Sequence, residues 1–508
     1  MESSPSRRFL NSLPKPGEVT TLRLMKLSVC LLLSLVASSV IADEFRTFTS
    51  TTGVAIRARF VKSENGQVDI IREDGQPFTF PLTALSPEDQ EWVKQAAAAQ
   101  ASGFITKASP NDNLPPSELN ELIGVPIFED SVLWASDANT VAKRLKLPKE
   151  SETRLQSSFR GYPREEARMF GARPYSIALY AQENRPTALS LVFANKGDLF
   201  GAKGSAEEHF DAEAAPKEAE RLLKEAMEKD VSTVTELLKQ KLGEPERQRF
   251  GEGEGRTYVY RWDWRGHAIL LREVDKEYVG IEVATSAFAD AGGKFERTSD
   301  SEIRAMAAAN VENRGNGDVV VGDIPMVDQG PKGYCVPATA ERAMRYLGVP
   351  ADMYVLAMAG NTGFGGGTSV NALLDGVGLD IRRKGRSFDQ WNGEMKLRDI
   401  KKHIDKGVPV MWALYSTGEW NKTATERTQE RQDVTDWGAW TERMKDINKT
   451  ANLRKDTSTG HVVLIIGYNE ATEEIAFSDS WGDRYKERWM TVAEAESISQ
   501  KGFWVVGF

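Results

Sequence analysis

Cysteine and histidine are scarce in this chain of 508 residues, which contains two Cys and four His. Two cysteines cannot build the disulfide framework on which small secreted scaffolds depend. The sequence has no CxxC, HExxH or GxxxxGK(S/T), so it lacks the usual signatures of a zinc module, a metalloprotease and a P-loop nucleotide site. We therefore expect neither a metal nor an organic cofactor.

Basic residues are also in the minority. Lys and Arg number 65 against 74 Asp and Glu, which gives a net charge of −9. A nucleic-acid surface needs a basic footprint, so we expect no nucleic-acid partner. A hydrophobic share of 40% is enough to build packed cores, and the length predicts about three domains.

Only one hydrophobic run is long. Arg23 and Lys26 precede the apolar segment 27–41, and the small residue Ala42 follows it. This pattern is typical of a signal peptide, so residues 1–42 are predicted to be a leader and signal peptide, with the signal at about 25–42. We expect export to the periplasm or the extracellular space, with membrane contact only during export. A membrane anchor is the alternative, although spanning takes about 20 apolar residues.

Export bears on both cysteines and on the start of the chain. Met25 is an alternative initiator, because residues 1–24 make an unusually long polar leader. Cys30 lies in the apolar run and would leave with the signal peptide. Cys335 would then be the single thiol of the mature chain, and an unpaired thiol in an oxidising compartment needs either burial or a function.

Residues 43–99 alternate apolar and polar side chains in short runs separated by Gly-containing turns, which predicts a small β module. The phrase Pro-Leu-Thr-Ala-Leu-Ser-Pro-Glu-Asp-Gln at 81–90 resembles the SLA homology domain (SHD), an SH3-like barrel. The resemblance implies a module that binds a peptide or protein ligand and has no enzymatic role. A plain β spacer is the alternative.

Two linkers are predicted, at 100–117 and 298–322, on either side of an α+β domain at 118–297. Its signals are apolar strand patterns and one long amphipathic helix at 217–242, with a possible break near Asp230. A propeptide, an inhibitor and a binding module all remain open for this domain. His209 and His267 have no second ligand nearby, so we interpret both as solvated or hydrogen-bonded histidines.

The residues with the clearest chemistry begin at a Gly/Pro loop, Asp328-Gln-Gly-Pro-Lys-Gly-Tyr-Cys335. Apolar residues then recur at helical spacing up to Leu347, and Gly348 ends the run. Cys335 is therefore predicted at a helix N-terminus, where the helix dipole and free N–H groups stabilise a thiolate. The thiolate is the form that attacks as a nucleophile.

A second cluster lies further along the chain. Gly460-His461 opens an apolar strand, and a second strand ends in Asp479-Ser-Trp-Gly. A hairpin with a three-residue loop at 469–471 would make His461 and Asp479 cross-strand partners, with Cβ atoms about 4.5–5.5 Å apart. A carboxylate at that distance can hold the imidazole in one tautomer and stabilise its protonated form.

Together these motifs resemble the papain-like cysteine peptidases, and more closely the bacteriocin-processing, double-glycine leader peptidases. The Gln-x5-Cys spacing, the Gly-His strand and the Asp-Ser-Trp-Gly phrase occur in the family's order; papain has Asn where this chain has Asp479. The resemblance implies that Cys335 is the nucleophile, His461 the general base and acid, and Asp479 its orienting partner. Gln329 would donate to the oxyanion together with the backbone N–H of Cys335.

The predicted architecture is therefore multidomain: an SH3-like β barrel, a central α+β domain and an α+β papain-like cysteine peptidase fold at 323–508. We expect an exported cysteine peptidase acting on a peptide or protein substrate. The alternatives are a non-catalytic secreted adaptor on a peptidase-like scaffold, or another acyl transferase of the amidase or transglutaminase type. Transporter helices and nucleotide motifs are missing from this sequence, so a bacteriocin-export role is not expected.

Three further segments have softer signals. The glycine-rich loop at 363–369 either lines the substrate cleft or is a simple turn. The charged, Trp-containing segment 416–457 is either a solvated helical insertion or a lid that recognises substrate. His403 is predicted to lie on the surface.

Overall fold

The computed structural model describes residues 45–64, 66–73, 76–94, 109–129, 132–200, 216–294 and 298–508. The chain divides into two compact units, 1–107 and 108–508. The predicted leader, His209 and residues 100–108 of the first predicted linker lie outside the described residues. Within those ranges, no helix combines the length and apolar character needed to span a bilayer.

The first unit contains a four-stranded antiparallel sheet in the order β1-β2-β3-β4. The strands are β1 (Arg46–Thr49), β2 (Ala55–Glu64), β3 (Gln67–Arg72) and β4 (Pro77–Pro81). After β4 the chain returns to β1 through a bridge between Ser50 and Leu85, and residues 87–94 are helical. The ring of Trp92 packs edge-on against Phe48 and Phe60 at 5.7 and 5.8 Å between ring centroids. The predicted strands are present; the SH3-like barrel and the SLA homology domain remain predictions.

The second unit begins with an eight-stranded antiparallel sheet in the order β5-β6-β7-β8-β12-β11-β10-β9. Its strands are β5 (Lys149–Glu152), β6 (Gln156–Gly161), β7 (Ser176–Gln182), β8 (Arg185–Asn195), β9 (Glu246–Phe250), β10 (Thr257–Trp264), β11 (His267–Val274) and β12 (Tyr278–Thr285). The helices are α1 (Pro116–Ile123), α2 (Ala138–Arg144), α3 (Lys196–Phe200), α4 (Pro216–Leu242) and α5 (Ser286–Asp290). We call this part the middle domain.

Helix α4 covers the middle sheet with an apolar stripe that includes Leu223, Val234 and Leu238, all buried. The possible break near Asp230 does not occur. The carboxylate of Asp230 accepts a hydrogen bond from the backbone N–H of Ala194 in β8, at 2.9 Å. A residue that often interrupts helices therefore fixes α4 to the sheet, an effect of tertiary packing that local propensity does not capture.

The remainder of the second unit, which we call the C-terminal domain, has a sheet in the order β13-β14-β17-β16-β20-β15, with β18 and β19 attached to β17. Its strands are β13 (Val311–Asn313), β14 (Asp318–Val321), β15 (Ser387–Asn392), β16 (Val410–Tyr415), β17 (Gly460–Asn469), β18 (Glu474–Ser478), β19 (Arg488–Thr491) and β20 (Ser499–Gly507). The helices are α6 (Asp300–Ala309), α7 (Cys335–Tyr346), α8 (Met353–Ala359), α9 (Val370–Arg383), α10 (Leu397–Ile404), α11 (Gly418–Gln432), α12 (Trp437–Thr450) and α13 (Val492–Ile498). The predicted α+β class is confirmed.

The second predicted linker, 298–322, is instead part of this domain. Ser299 and Glu302 form a capping box that starts α6, and β14 pairs with β17 through Val319 and Tyr468. The Gly- and Asn-rich segment between β13 and β14 is a tight hairpin turn. Its pattern resembled a linker because the partner strand lies far downstream, where a local pattern cannot reveal it.

The charged segment 416–457 forms α11 and α12 and is attached to the domain by buried ion pairs. Arg431 contacts Asp318 at 2.6 Å and Glu474 at 2.9 Å, and all three side chains are at most 5% exposed. Arg427 of the same helix contacts Glu494 at 2.9 Å. The charges of α11 therefore serve internal packing as well as solvation.

We predict that Arg431→Met lowers the free energy of unfolding by about 3–5 kcal/mol, because it leaves two buried carboxylates without a cation. Arg443→Met is the matched control: its partner is Glu430, the two side chains are 51% and 43% exposed, and such a pair contributes about 1 kcal/mol or less. Chemical denaturation of both variants measures the difference. Equal losses would contradict this view of α11.

Candidate active site

Cys335 is the first residue of α7, as the sequence predicted. The first N–H groups of a helix have no acceptor within it, and the helix dipole places partial positive charge there. The backbone N–H groups of Val336 and Val462 both lower the pKa of the thiol. Cys335 as a residue is only partly buried.

His461 is the second residue of β17 and is 5% exposed. Its Nε2 lies 2.7 Å from Oδ1 of Asp479, and the ring interacts with the thiol of Cys335, which raises the pKa of the imidazole. Because Nε2 faces Asp479, Nδ1 is the nitrogen left for the sulfur. The hydroxyl of Thr339 in α7 donates to the carbonyl of Val462 at 3.0 Å, which joins the helix of the thiol to the strand of the imidazole.

The predicted register of the hairpin is wrong, although the contact it was meant to explain is present. Asn469 pairs with Glu474, and after a bulge Leu464 pairs with Ser478. Continuing that register places Asp479 opposite Val463, two residues from His461. A shift of two residues keeps a side chain on the same face of a strand, and diagonal neighbours there remain within reach of long side chains.

The thiol and the imidazole change each other's proton affinity. Burial alone would raise the pKa of Cys335, but the contact with His461 and the two backbone N–H groups outweigh it and lower the pKa below the usual thiol value. Burial alone would lower the pKa of His461, but the hydrogen bonds to Asp479 and Cys335 outweigh it and raise the pKa to about 9. Both shifts favour a thiolate–imidazolium ion pair near neutral pH.

Sequence reasoning missed Arg488, which stands behind Asp479. Its Nη2 donates to Oδ2 of Asp479 at 2.7 Å, and both side chains are at most 3% exposed. The guanidinium lies over the ring of Trp420 at 4.7 Å, and Trp481 stacks on His461 at 4.7 Å between centroids. No spacing rule points to Arg488, because it lies on β19, beyond a turn that follows the motif.

Gln329 lies in the loop before α7 and is 8% exposed. Its backbone N–H donates to the carbonyl of Ser480 at 2.9 Å, so the loop is held against the segment that follows Asp479. Its side-chain Nε2 donates to the carbonyl of Lys332 at 3.0 Å. That bond uses one of the two amide hydrogens, which leaves the second for another acceptor.

The glycine-rich loop contacts the loop that leads to Cys335. Gly333 and Gly366 form a parallel bridge, and the N–H of Gly333 donates to the carbonyl of Gly365 at 3.0 Å. A Cβ on Gly366, whose φ is +127°, would lie 2.4 Å from the Cα of Gly333. Glycine is needed here because two backbones meet without room for a side chain.

The other histidines that the structure describes, His267 and His403, lie in β11 and α10. His267 is a buried, hydrogen-bonded residue, as predicted: Leu133 N–H donates to its Nε2 at 2.9 Å. His403 is half-buried, not fully on the surface, and stacks on Trp391 at 5.4 Å. Over the described ranges, no group of three His, Cys, Asp or Glu residues is placed to hold a metal ion.

Residues 321–504 match the model of the Peptidase_C39 like family. The C-terminal domain is a cysteine peptidase domain. Among solved structures, the peptidase domain of Streptococcus ComA, a bifunctional ABC transporter involved in quorum sensing, is 11% identical; the match covers 36% of this chain and 96% of that one, with a TM-score of 0.23. Xylellain, a cysteine protease from Xylella fastidiosa, is 11% identical; the match covers 42% of this chain and 91% of that one, with a TM-score of 0.26. No curated protein matches the chain.

The pKa values lead to a pH prediction for Asp479→Asn. In the wild type, turnover should fall as pH rises through about 9, where His461 loses its proton. Removing the anion at 479 removes a cause of the raised pKa of His461, so this alkaline limb should move to lower pH. We also expect kcat to fall by about 10²–10⁴-fold, the range of general acid–base catalysis.

The pH dependence of turnover measures this effect. Asp483→Asn is the control, because that carboxylate is 71% exposed and pairs with Lys486 on the surface. If both variants kept the wild-type alkaline limb, Asp479 would have no effect on His461.

Proposed function

We propose that the protein hydrolyses peptide bonds through a triad of Cys335, His461 and Asp479, with Gln329 assisting at the oxyanion. The proposal is carried by the hydrogen bond between His461 and Asp479 at 2.7 Å, together with the opposite pKa shifts that the Cys335 thiol and the His461 imidazole cause in each other. Cys335 is the first residue of a helix and is only partly buried. Nucleophile, base and orienting carboxylate are the three roles that acyl transfer requires.

The proposed reaction has two halves. The Cys335 thiolate attacks the peptide carbonyl carbon, and negative charge develops on its oxygen, towards the N–H of Cys335 and the free amide hydrogen of Gln329. The C–N bond then breaks as His461 gives its proton to the leaving amine. Neutral His461 next takes a proton from water, and the hydroxide attacks the thioester. The C–S bond then breaks, which releases the carboxylic acid and restores the thiolate–imidazolium pair.

The substrate class is a peptide or protein. Under this proposal the N-terminal module, if it is an SLA homology domain, binds a further peptide or protein ligand. We place the protein in the periplasm or outside the cell on the basis of the basic flank and apolar run at 23–42. N-terminal sequencing of the mature protein should then begin near Asp43, and recovery of the intact leader from a membrane fraction would favour the anchor.

We predict that Cys335→Ala abolishes turnover of a broad peptide library, measured by mass spectrometry of the cleavage products. The wild-type thiol should react with iodoacetamide faster than a free cysteine near neutral pH, because its pKa is lowered. His403→Ala is a matched control, since this histidine stacks on Trp391 and is not a member of the triad.

The same experiment separates the alternatives. Slow labelling together with an untouched library would indicate a binding protein on a peptidase-like scaffold. Cross-linked products in the presence of added amines would indicate a transglutaminase-like acyl transfer.

A further inference from the structure

The middle domain contacts the short loop that joins Asp328 to Cys335, which we call the catalytic loop. The hydroxyl of Tyr162 donates to the carbonyl of Asp328. The N–H of Asp328 donates to Oε1 of Glu150 at 2.8 Å. Residues of the middle domain therefore hold both the N–H and the carbonyl of Asp328, the residue before Gln329.

Two glycines allow this approach, one on each side of the contact. A Cβ on Gly330 of the catalytic loop would lie 2.5 Å from the ring of Tyr162, and the φ of Gly330 is +67°. A Cβ on Gly197 of the middle domain would lie 2.6 Å from the ring of Tyr334, the residue before Cys335. Real Cβ contacts are not this short, so the two surfaces fit together only with glycine at these positions.

The contact centres on a buried charge pair. Nζ of Lys332 in the catalytic loop lies 3.1 Å from Oδ1 of Asp198 in α3, and the two side chains are 0% and 4% exposed. The hydroxyl of Tyr354 donates to the same carboxylate at 3.2 Å. A buried ammonium needs a close counter-ion, and for Lys332 the middle domain provides it.

Lys332 also orients Gln329 through its main chain. The carbonyl of Lys332 accepts from Nε2 of Gln329 at 3.0 Å and from the backbone N–H of Tyr334 at 2.9 Å. One residue thus joins the charge of the middle domain, at its side chain, to the amide of Gln329, at its carbonyl. A shift of Lys332 would move the acceptor that fixes this amide.

We propose that the middle domain is a permanent positioning unit of the active site, in which Asp198 acts through Lys332 to aim the Gln329 amide at the oxyanion. This inference rests on the proposed function and deepens it. It also assigns a role to the middle domain, whose function could not be inferred from the sequence. A propeptide that had to leave for activity would take the counter-ion of Lys332 with it.

The test is Asp198→Asn in the full chain, with Gln329→Ala as the reference and Glu277→Gln as the control. Glu277 forms a comparable ion pair with Lys196, at 2.9 Å and with side chains 13% and 10% exposed, but no hydrogen bond from it to the catalytic loop is seen in the described part of the chain. Loss of an oxyanion donor costs about 10²–10³-fold in kcat, which is the value expected for Gln329→Ala.

For Asp198→Asn we expect kcat to fall by about 10–10²-fold, less than the loss caused by removing the donor itself, with KM changed by less than about threefold. In the Gln329→Ala background the same substitution should cause little further loss, because both act on one amide. The rate of Cys335 alkylation and its pH dependence should stay at wild-type values, since the thiolate–imidazolium pair does not involve Gln329. Asp198→Glu, which keeps the anion, should recover part of kcat.

Three results would overturn the inference: an unchanged kcat, a loss that multiplies with that of Gln329→Ala, or a parallel fall in alkylation rate. If Asp198→Asn does not fold, a double variant, Asp198→Leu with Lys332→Met, removes both charges at similar volume and should show the same kcat loss. The proposed function is tested separately. Turnover by Cys335→Ala would refute it, whereas an inactive Cys335→Ala beside an Asp198→Asn that matches Glu277→Gln would refute only the positioning role.

Discussion

The contact between the Cys335 thiol and the His461 imidazole is the constraint on which the catalytic proposal depends. The two residues come from a helix start and a strand start that are far apart in sequence, so the core must bring α7 and β17 together. Thr339 and the apolar residues of α7 do this from one side. On the other side, Asp479 and Arg488 hold the imidazole, and two tryptophans shield it from water.

Buried ion pairs recur at three places in the second unit. Arg488 meets Asp479 behind the imidazole, Arg431 meets two carboxylates under α11, and Lys332 meets Asp198 between the domains. Such pairs add little net stability, but removing one partner strongly destabilises the folded protein because the other charge stays buried without compensation. They therefore favour one arrangement of the layers over others that would bury the same apolar area.

Local signals in the sequence predicted the elements that hold the reactive groups. The Gly/Pro loop before an apolar 3.6-residue repeat placed Cys335 at a helix start, and an unbroken apolar run placed His461 at a strand start. Five of the eight strands of the middle domain, β7, β8, β10, β11 and β12, followed from the same kind of pattern, whereas β5, β6 and β9 did not. These features depend on near neighbours along the chain, which is why residue patterns alone were sufficient.

Features set by distant pairings were not predictable. The hairpin register depends on a bulge near Ile466, and Arg488 reaches Asp479 only after β19 has folded back. The segment 298–322 resembled a linker because its partner, β17, begins at residue 460. The attachment of the middle domain to the catalytic loop rests on single residues, Asp198 and Tyr162, which have no motif around them.

The pairing of β14 with β17 has a practical consequence for cutting the chain. A fragment that began at residue 323 would match the boundary expected from sequence, yet it would strip β17 of a neighbour at 467–469. Open backbone groups on a strand with hydrophobic side chains invite pairing with other molecules. Arg431 would lose Asp318 in the same step. Such a fragment would be prone to self-association, and a cut in the 295–299 region would keep this sheet intact.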